Sequence, residues 1–320
     1  MDKLPFCELA QMVLRYYQVR KSRRQKAEFR VFLKKWCDAC GLSYHEEWRK
    51  NSCNVSVGDV EKAKVLFTAH YDTCAVSPFL NFAAPRNWPL QIACTFCCVL
   101  FPSAGVCAVL YWMNVPYRLL AIVFLTILTA TIALALEGPA NRHTANDNTS
   151  GVLLLLWLMQ ELPNAIRQHA ALVFFDNEEK GRLGSSAFKK MHPNPRKEGF
   201  LINFDCVGDG DHFLFIGAKG AREHPYYPMW QAAVRSAAQA CGKTTHFHKA
   251  ATTQYSSDQR GFSKGIGVAA MHYTKGIGLW LGRIHTPLDT ILQEKNIDCL
   301  TQAAATFCNQ LSEYPACEAR

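Results

Sequence analysis

Charge is missing from two long stretches of this 320-residue chain, and acidic residues are scarce in a third. The 31 residues from Asn87 to Tyr117 carry no formal charge, and residues 119–136 are all apolar or threonine. From Arg15 to Lys35 there are nine lysines or arginines against one acid, so most of the net charge of +9 belongs to this segment. We interpret it as the solvated face of a helix rather than a nucleic-acid surface, and we predict no nucleic-acid partner.

A paired cysteine framework is also lacking, although the chain has 14 cysteines. Cys37-x-x-Cys40 has no second pair with which to complete a structural zinc site. No charged-then-apolar leader with a small-residue cleavage site follows Met1. We therefore predict free thiols in a reducing compartment.

The stretch from Leu66 to Thr73, LFTAHYDT, is an apolar run that ends in a histidine and a carboxylate two residues apart. Its composition is typical of a buried strand, and active sites of open α/β sheets gather where such strands end. We expect His70 to be a metal ligand and Asp72 to accept the proton of its other ring nitrogen. A lone histidine at a strand end is more often an ordinary polar residue, so this assignment depends on further ligands.

Four later stretches also place an acid or a histidine beside a turn or at a strand end. They are Ala145–Gly151 (ANDNTSG), Phe175–Gly181 (FDNEEKG), Asn203–Asp205 (NFD) and Arg283–Thr290 (RIHTPLDT). In this order, His-x-Asp, Asp-Asn-x-Ser-Gly, Glu-Glu, Asp and His resemble the motifs of the di-zinc exopeptidases of the aminopeptidase Y and bacterial leucyl aminopeptidase type, family twenty-eight of the metallopeptidases. The similarity runs from about Arg23 to the C-terminus with one large interruption.

The resemblance implies a centre of two zinc ions, which can bind one water, lower its pKa and polarise the scissile carbonyl. Asp147 would bridge the ions, His70 and Asp205 would complete one site, and Glu179 and His285 the other. These oxygen and nitrogen ligands suit zinc, and cobalt or manganese are the expected substitutes. The resemblance also implies a cis bond between Asp147 and Asn148.

The same resemblance assigns the general base to Glu178, the first of the acidic pair. Successive side chains of an extended segment point apart, so one glutamate can bind metal while its neighbour faces the substrate. Tyr255 is expected either to stabilise the oxyanion or to be merely structural, and Asp289 to orient His285. Gln259 stands where the family has a histidine.

The interruption lies between Asp72 and Asp147 and contains both uncharged runs. At about 1.5 Å per residue the second run extends roughly 27 Å, close to the ~30 Å hydrocarbon core of a bilayer. A pair of buried helices is the alternative, but soluble helices of this length nearly always carry a polar stripe, which both runs lack. We predict a transmembrane helical hairpin at residues 87–136, with Pro102 and Gly105 kinking its first helix, inserted into a zinc peptidase domain of residues 1–86 and 137–320.

The hairpin implies a multi-pass membrane protein with two helices and a lipid bilayer as a partner. Arg86, Arg142 and the segment from Arg15 to Lys35 lie on the domain side, against Arg118 at the turn. The positive-inside rule therefore predicts a cytoplasmic catalytic domain, with the basic segment within reach of anionic lipid.

Strand and helix patterns alternate through the rest of the chain, which predicts a three-layer α/β/α zinc-exopeptidase fold with a mixed central sheet. Phe6 to Gly41 is expected to be helical. We predict an aminopeptidase that acts on peptides with a free N-terminus. A glutaminyl cyclase with a single zinc and the same fold is the main alternative, and a non-catalytic membrane scaffold is another. A related deacylase family with a lid domain is disfavoured, because only 80 positions separate Asp205 from His285.

Overall fold

Strands and helices alternate through most of the computed structural model, which describes residues 3–77, 81–192 and 199–313. The strands are β1 (Tyr44–Arg49), β2 (Ser52–Val57), β3 (Val65–His70), β4 (Ala170–Phe175), β5 (Phe200–Phe204), β6 (His212–Gly217), β7 (Thr244–Lys249), β8 (Gly265–Thr274) and β9 (Gly278–Trp280). The helices are α1 (Phe6–Tyr16), α2 (Arg23–Cys40), α3 (Trp88–Val99), α4 (Phe101–Trp112), α5 (Tyr117–Glu137), α6 (Gly151–Glu161), α7 (Pro163–Gln168), α8 (Leu183–Met191), α9 (Lys219–Arg222), α10 (Tyr226–Ala240) and α11 (Glu294–Glu313).

All strands belong to one mixed sheet, in the order β1-β2-β4-β3-β5-β8-β6-β7, with β9 paired to β8. The central strands β4, β3, β5 and β8 are parallel. The pairs β1–β2, β2–β4 and β6–β8 are antiparallel. The predicted mixed sheet is therefore confirmed.

The sheet buries both faces, which explains its nearly continuous apolar strands. In β3, Val65 and Phe67 join the main core cluster with α1, α2, α6, α10 and α11. Leu66 points to the opposite face and packs in a smaller cluster with Phe188 of α8 and Phe262. Helices on both sides of one sheet confirm the three-layer arrangement.

The segment from Phe6 to Gly41, expected to be helical, forms two helices, α1 and α2, separated by the non-helical residues 17–22. Between the two helices, Arg20 is fully buried and donates from Nε to the Tyr71 carbonyl at 2.5 Å and from Nη2 to Thr149 Oγ1 at 3.1 Å. Ser22 then starts α2 through a capping box with Gln25. Three members of the basic segment assigned to a solvated face are buried, namely Arg20, Lys26 and Arg30, so that assignment is wrong at these positions.

The uncharged runs form α3, α4 and α5, which lie away from the core. Helices α3 and α4 are bent by 49° at their junction, with Pro102 in the first turn of α4. Within α5, which is described in full, no residue is buried. This helix is long and apolar enough to cross a membrane, and the bent pair passes the same test of length and composition when taken together.

Candidate metal and active site

Five side chains predicted to bind metal converge at one edge of the sheet. His70 ends β3, Glu179 follows β4 and Asp205 follows β5, three neighbouring parallel strands whose carboxyl ends meet. Asp147 lies in the turn that precedes α6, and His285 lies in the loop after β9, where it adopts a positive φ of 60°. The sheet topology therefore gathers ligands from distant parts of the sequence.

The two carboxylate oxygens of Asp147 face different histidines. Its Oδ1 is 3.4 Å from His70 Nε2, which in turn is 3.5 Å from Asp205 Oδ1. Its Oδ2 is 2.9 Å from His285 Nε2, which is 3.5 Å from Glu179 Oε2. Asp147 thus stands between two groups of metal-ligating side chains.

The backbone around Asp147 is held by Asp289. Asp289 Oδ1 accepts from the Asn146 amide at 2.7 Å, and its Oδ2 accepts from the Asp147 amide at 3.0 Å. The Asp147–Asn148 peptide bond is cis, as expected. Asp289 was expected to orient His285; its hydrogen bonds instead fix the segment that carries Asp147.

Asp72 also has a different contact from the one expected. His70 Nδ1 lies 3.1 Å from the Asp72 carbonyl oxygen and 3.5 Å from its carboxylate. The carboxylate accepts from the amides of Glu178 at 2.9 Å and Glu179 at 3.2 Å. The carbonyl is therefore the closer partner of the imidazole, while the carboxylate positions the acidic pair.

Glu178 and Tyr255 both line an open cavity of about 380 Å³ beside the five ligand candidates. Burial, and then the charges of Asp258, Glu179 and Asp205, raise the pKa of Glu178 well above its usual value. The Tyr255 hydroxyl donates to the Asp205 carbonyl at 3.1 Å, so in this structure it supports a ligand-bearing segment. An oxyanion contact would require this hydroxyl to change partner.

The site contains more carboxyl groups than its two histidines could neutralise. Burial raises the pKa of Glu179 to about 8. Burial also raises the pKa of Asp289 to about 7, helped by the charge of Asp147. Burial alone would lower the pKa of His285, but Glu179 and Asp147 outweigh it and raise it to about 10. Such a cluster favours a bound cation, because buried carboxylates ionise readily only beside positive charge.

The donor chemistry fits zinc. Among the described residues, two groups bring metal-ligating atoms together: His70, Asp147 and Asp205, and Cys74, Glu179 and His285. Glu179 Oε1 is buried and has no hydrogen-bond partner in the described part of the chain, which leaves it available as a donor atom. Cys74 was not predicted, and the only signal in the sequence is its position two residues after Asp72.

A mixed α/β sheet with a histidine and carboxylate cluster at its strand ends defines a candidate metallohydrolase. The profile of Peptidase family M28 matches residues 130–309, more than half of the chain, and the chain belongs to this family. This family is zinc-dependent, and the side chains gathered at the site are suitable zinc ligands. No curated protein sequence matches the chain.

Solved structures with the same fold include glutaminyl cyclases and an aminopeptidase. The Porphyromonas gingivalis glutaminyl cyclase is 14% identical with a TM-score of 0.60, over 96% of this chain and 97% of that one. A leucine aminopeptidase precursor from Bacteroides thetaiotaomicron is 15% identical with a TM-score of 0.57, over 95% of both chains. LapB from Legionella pneumophila is 12% identical with a TM-score of 0.55, over 96% of this chain and 71% of that one. At these identities the likeness concerns the fold.

Proposed function

We propose that this chain is a zinc-dependent aminopeptidase with two metal positions. The observation that carries the proposal is the geometry of Asp147, whose two oxygens face a His70–Asp205 group and a His285–Glu179 group. Both halves of a two-metal site are therefore represented by suitable donors. When bound, zinc would lower the pKa of a water molecule and polarise the substrate carbonyl.

Glu178 would act as the general base and then as the general acid. A Glu178 carboxylate oxygen takes a proton from the attacking water and returns it to the nitrogen of the leaving amine. Burial raises the pKa of Glu178 above that of an ordinary carboxyl group, the direction that favours a group which both accepts and releases a proton. The bond from its amide to Asp72 fixes the backbone at this position.

Glutaminyl cyclase is the second candidate, because named cyclases share this fold along nearly the whole chain. A cyclase converts N-terminal glutamine without adding water, so the product separates the two functions. We expect the purified protein to release the first residue from aminoacyl amides and short peptides, and glutaminyl peptides to be shortened rather than cyclised. Cyclised glutaminyl peptide without hydrolysis of other substrates would establish the cyclase instead.

Glu178→Gln is the matched variant for this assay. It removes the base while keeping the size of the side chain, and we expect kcat to fall about 10²–10⁴-fold with bound metal unchanged. A variant that retains full activity would contradict the role of Glu178. Loss of metal together with activity would instead show that Glu178 holds the site together.

We further propose that residues 87–136 anchor the enzyme in a bilayer as a helical hairpin, with the catalytic domain on the cytoplasmic side. The apolar side chains of α5 support this, since Ile122 and Leu125 are 59% and 60% exposed. Gln91, in α3, lines the cavity that contains the ligand candidates. Because α3 belongs to the proposed anchor, the entrance of this cavity would lie near the lipid surface.

The anchor is tested by membrane extraction and by accessibility labelling. The full chain should stay with membranes at alkaline pH, whereas replacement of residues 87–136 by a short glycine and serine linker should release it. A cysteine reagent that cannot cross the membrane should leave a cysteine introduced at Lys275, in the catalytic domain, unlabelled in intact cells. Release of the full chain would contradict the anchor, and labelling would contradict the orientation.

A further inference from the structure

A buried thiol faces one half of the proposed two-metal site. Cys74 Sγ, a carboxylate oxygen of Glu179 and a ring nitrogen of His285 all lie within 4.8 Å of one another. Cys74 is only 1% exposed, so its thiol meets these side chains rather than solvent. All cysteines in the described part of the chain are free, so Cys74 does not form a disulfide with any of them.

The backbone fixes Cys74 against the loop that carries His285. The Ser77 amide donates to the His285 carbonyl at 2.7 Å, and the Val76 amide donates to the Pro139 carbonyl at 2.8 Å. On the other side, the Cys74 carbonyl accepts from the Asn141 amide at 3.1 Å. The backbone around Cys74 is therefore hydrogen-bonded both to the loop that carries His285 and to residues 139–141.

A further observation points to a ligand at this position. Glu179 Oε1 has no hydrogen-bond partner among the described residues, and the Glu179 side chain is 10% exposed. The side-chain nitrogen Nδ2 of Asn141 lies 3.8 Å from Cys74 Sγ, and its shorter hydrogen bonds go to the carbonyls of His143 at 2.6 Å and Thr286 at 3.0 Å.

We propose that Cys74 is a fourth protein donor for the metal position formed by Asp147, Glu179 and His285. This inference rests on the two-metal centre of the proposed function and extends it. Zinc accepts thiolate, imidazole and carboxylate ligands together, and on binding the thiol gives its proton to solvent. The motifs on which the family resemblance rests, His-x-Asp, Asp-Asn-x-Ser-Gly, Glu-Glu, Asp and His, include no cysteine.

A thiolate would make the two metal positions chemically unequal. The position beside His70 and Asp205 has three protein donors with Asp147, the number typical of sites that keep a place for water. The Cys74 position has four, the number typical of a closed site. Soft thiolate also favours zinc and cadmium over manganese, so the second position should be the more selective one.

The test uses the full-length, detergent-purified apo protein titrated with Co²⁺, followed by its absorption spectrum. We expect a sulfur-to-cobalt charge-transfer band in the near ultraviolet, which is lost in Cys74→Ser while the visible cobalt bands of the remaining site persist. Cys308→Ala is the matched control. Cys308 is a buried thiol on α11 in the hydrophobic core, so this variant should keep the band. Zinc affinity at the second position should fall at least about tenfold in Cys74→Ser.

Each other outcome has a distinct meaning. Cobalt bound without a charge-transfer band in the wild type overturns the role of Cys74 while the metal centre stands. A band that survives in Cys74→Ser assigns the sulfur to another cysteine and also overturns it. If no cobalt binds to any variant, the proposed function fails first. Alkylation of the wild-type protein gives a measurement that does not depend on the folding of a variant. Bound zinc should protect Cys74 from a small thiol reagent, compared with the apo protein.

Discussion

Replacing Lys26 by methionine should destabilise the protein and displace the acidic pair of the site. Lys26 Nζ is 2.6 Å from Asp176 Oδ1 and 2.8 Å from Asn177 Oδ1. The side chains of Lys26 and Asp176 are 7% and 2% exposed. Asn177, with a positive φ of 54°, joins this ion pair to Glu178. The buried ammonium therefore supports the turn that delivers the proposed base.

The expected loss of stability is large because the partner charge stays behind. Without Lys26, Asp176 keeps the Cys53 amide at 2.9 Å as a donor but has no counter-ion. Removing one member of a buried pair costs about 3–5 kcal/mol. Burial already raises the pKa of Asp176. Losing the lysine raises this pKa further, so the deficit should shrink as pH falls and Asp176 becomes protonated.

Urea unfolding in detergent, followed by tryptophan fluorescence, measures the change. The double variant Lys26→Met/Asp176→Asn should recover part of the loss, since no charge is left unpaired. Lys34→Met breaks an exposed pair with Asp38 in the same helix and should cost at most about 0.5 kcal/mol. A Lys26→Met effect as small as that of Lys34→Met, at all pH values, would refute the reasoning.

Two other perturbations test the electrostatics. Hydrogen bonds from His192 to Glu47 at 3.1 Å and to Glu61 at 2.5 Å raise the pKa of His192 in the folded state. Its contribution to the free energy of unfolding should be complete below the pKa of the unfolded state and should be lost as the pH rises through the raised folded-state pKa. His192→Gln should show no such pH-dependent loss of stability. Zinc added to the apo protein at one hundred times its Kd should raise the free energy of unfolding by about 2.7 kcal/mol, because the metal binds only the folded state. Asp147→Asn should reduce this increase, and an increase as large as that of the wild type would argue against the site.

Much of the fold and all five ligand candidates are accessible from the sequence, because they coincide with strong local patterns. The buried strand before His70 and the strand before the acidic pair are short apolar runs, and the structure gives strands at both positions. The residues that follow these strands come together because the carboxyl ends of parallel strands meet at one edge of the sheet. His70 and His285 are 215 positions apart in the sequence. Their proximity could be predicted from the order of the family motifs and from a parallel sheet.

The contacts that differ from expectation depend on loops brought together only in three dimensions. Asp289 and Asp72 are close in sequence to histidines, which favoured roles as orienting partners, yet their carboxylates accept from backbone amides of distant segments. Arg20 looked solvated because its buried acceptors, including the Tyr71 carbonyl, lie far along the chain. Cys74 was missed for the same reason, since its neighbours at the site come from two other loops.

Metal content of the purified full-length protein tests the central claim most directly. Inductively coupled plasma mass spectrometry, with protein concentration from amino-acid analysis, should give two zinc ions per chain in the wild type and in Glu178→Gln. Asp147→Asn, which alters the shared carboxylate, should lower that number. One zinc per chain that does not rise when zinc is added, or no metal at all, would contradict the two-metal account.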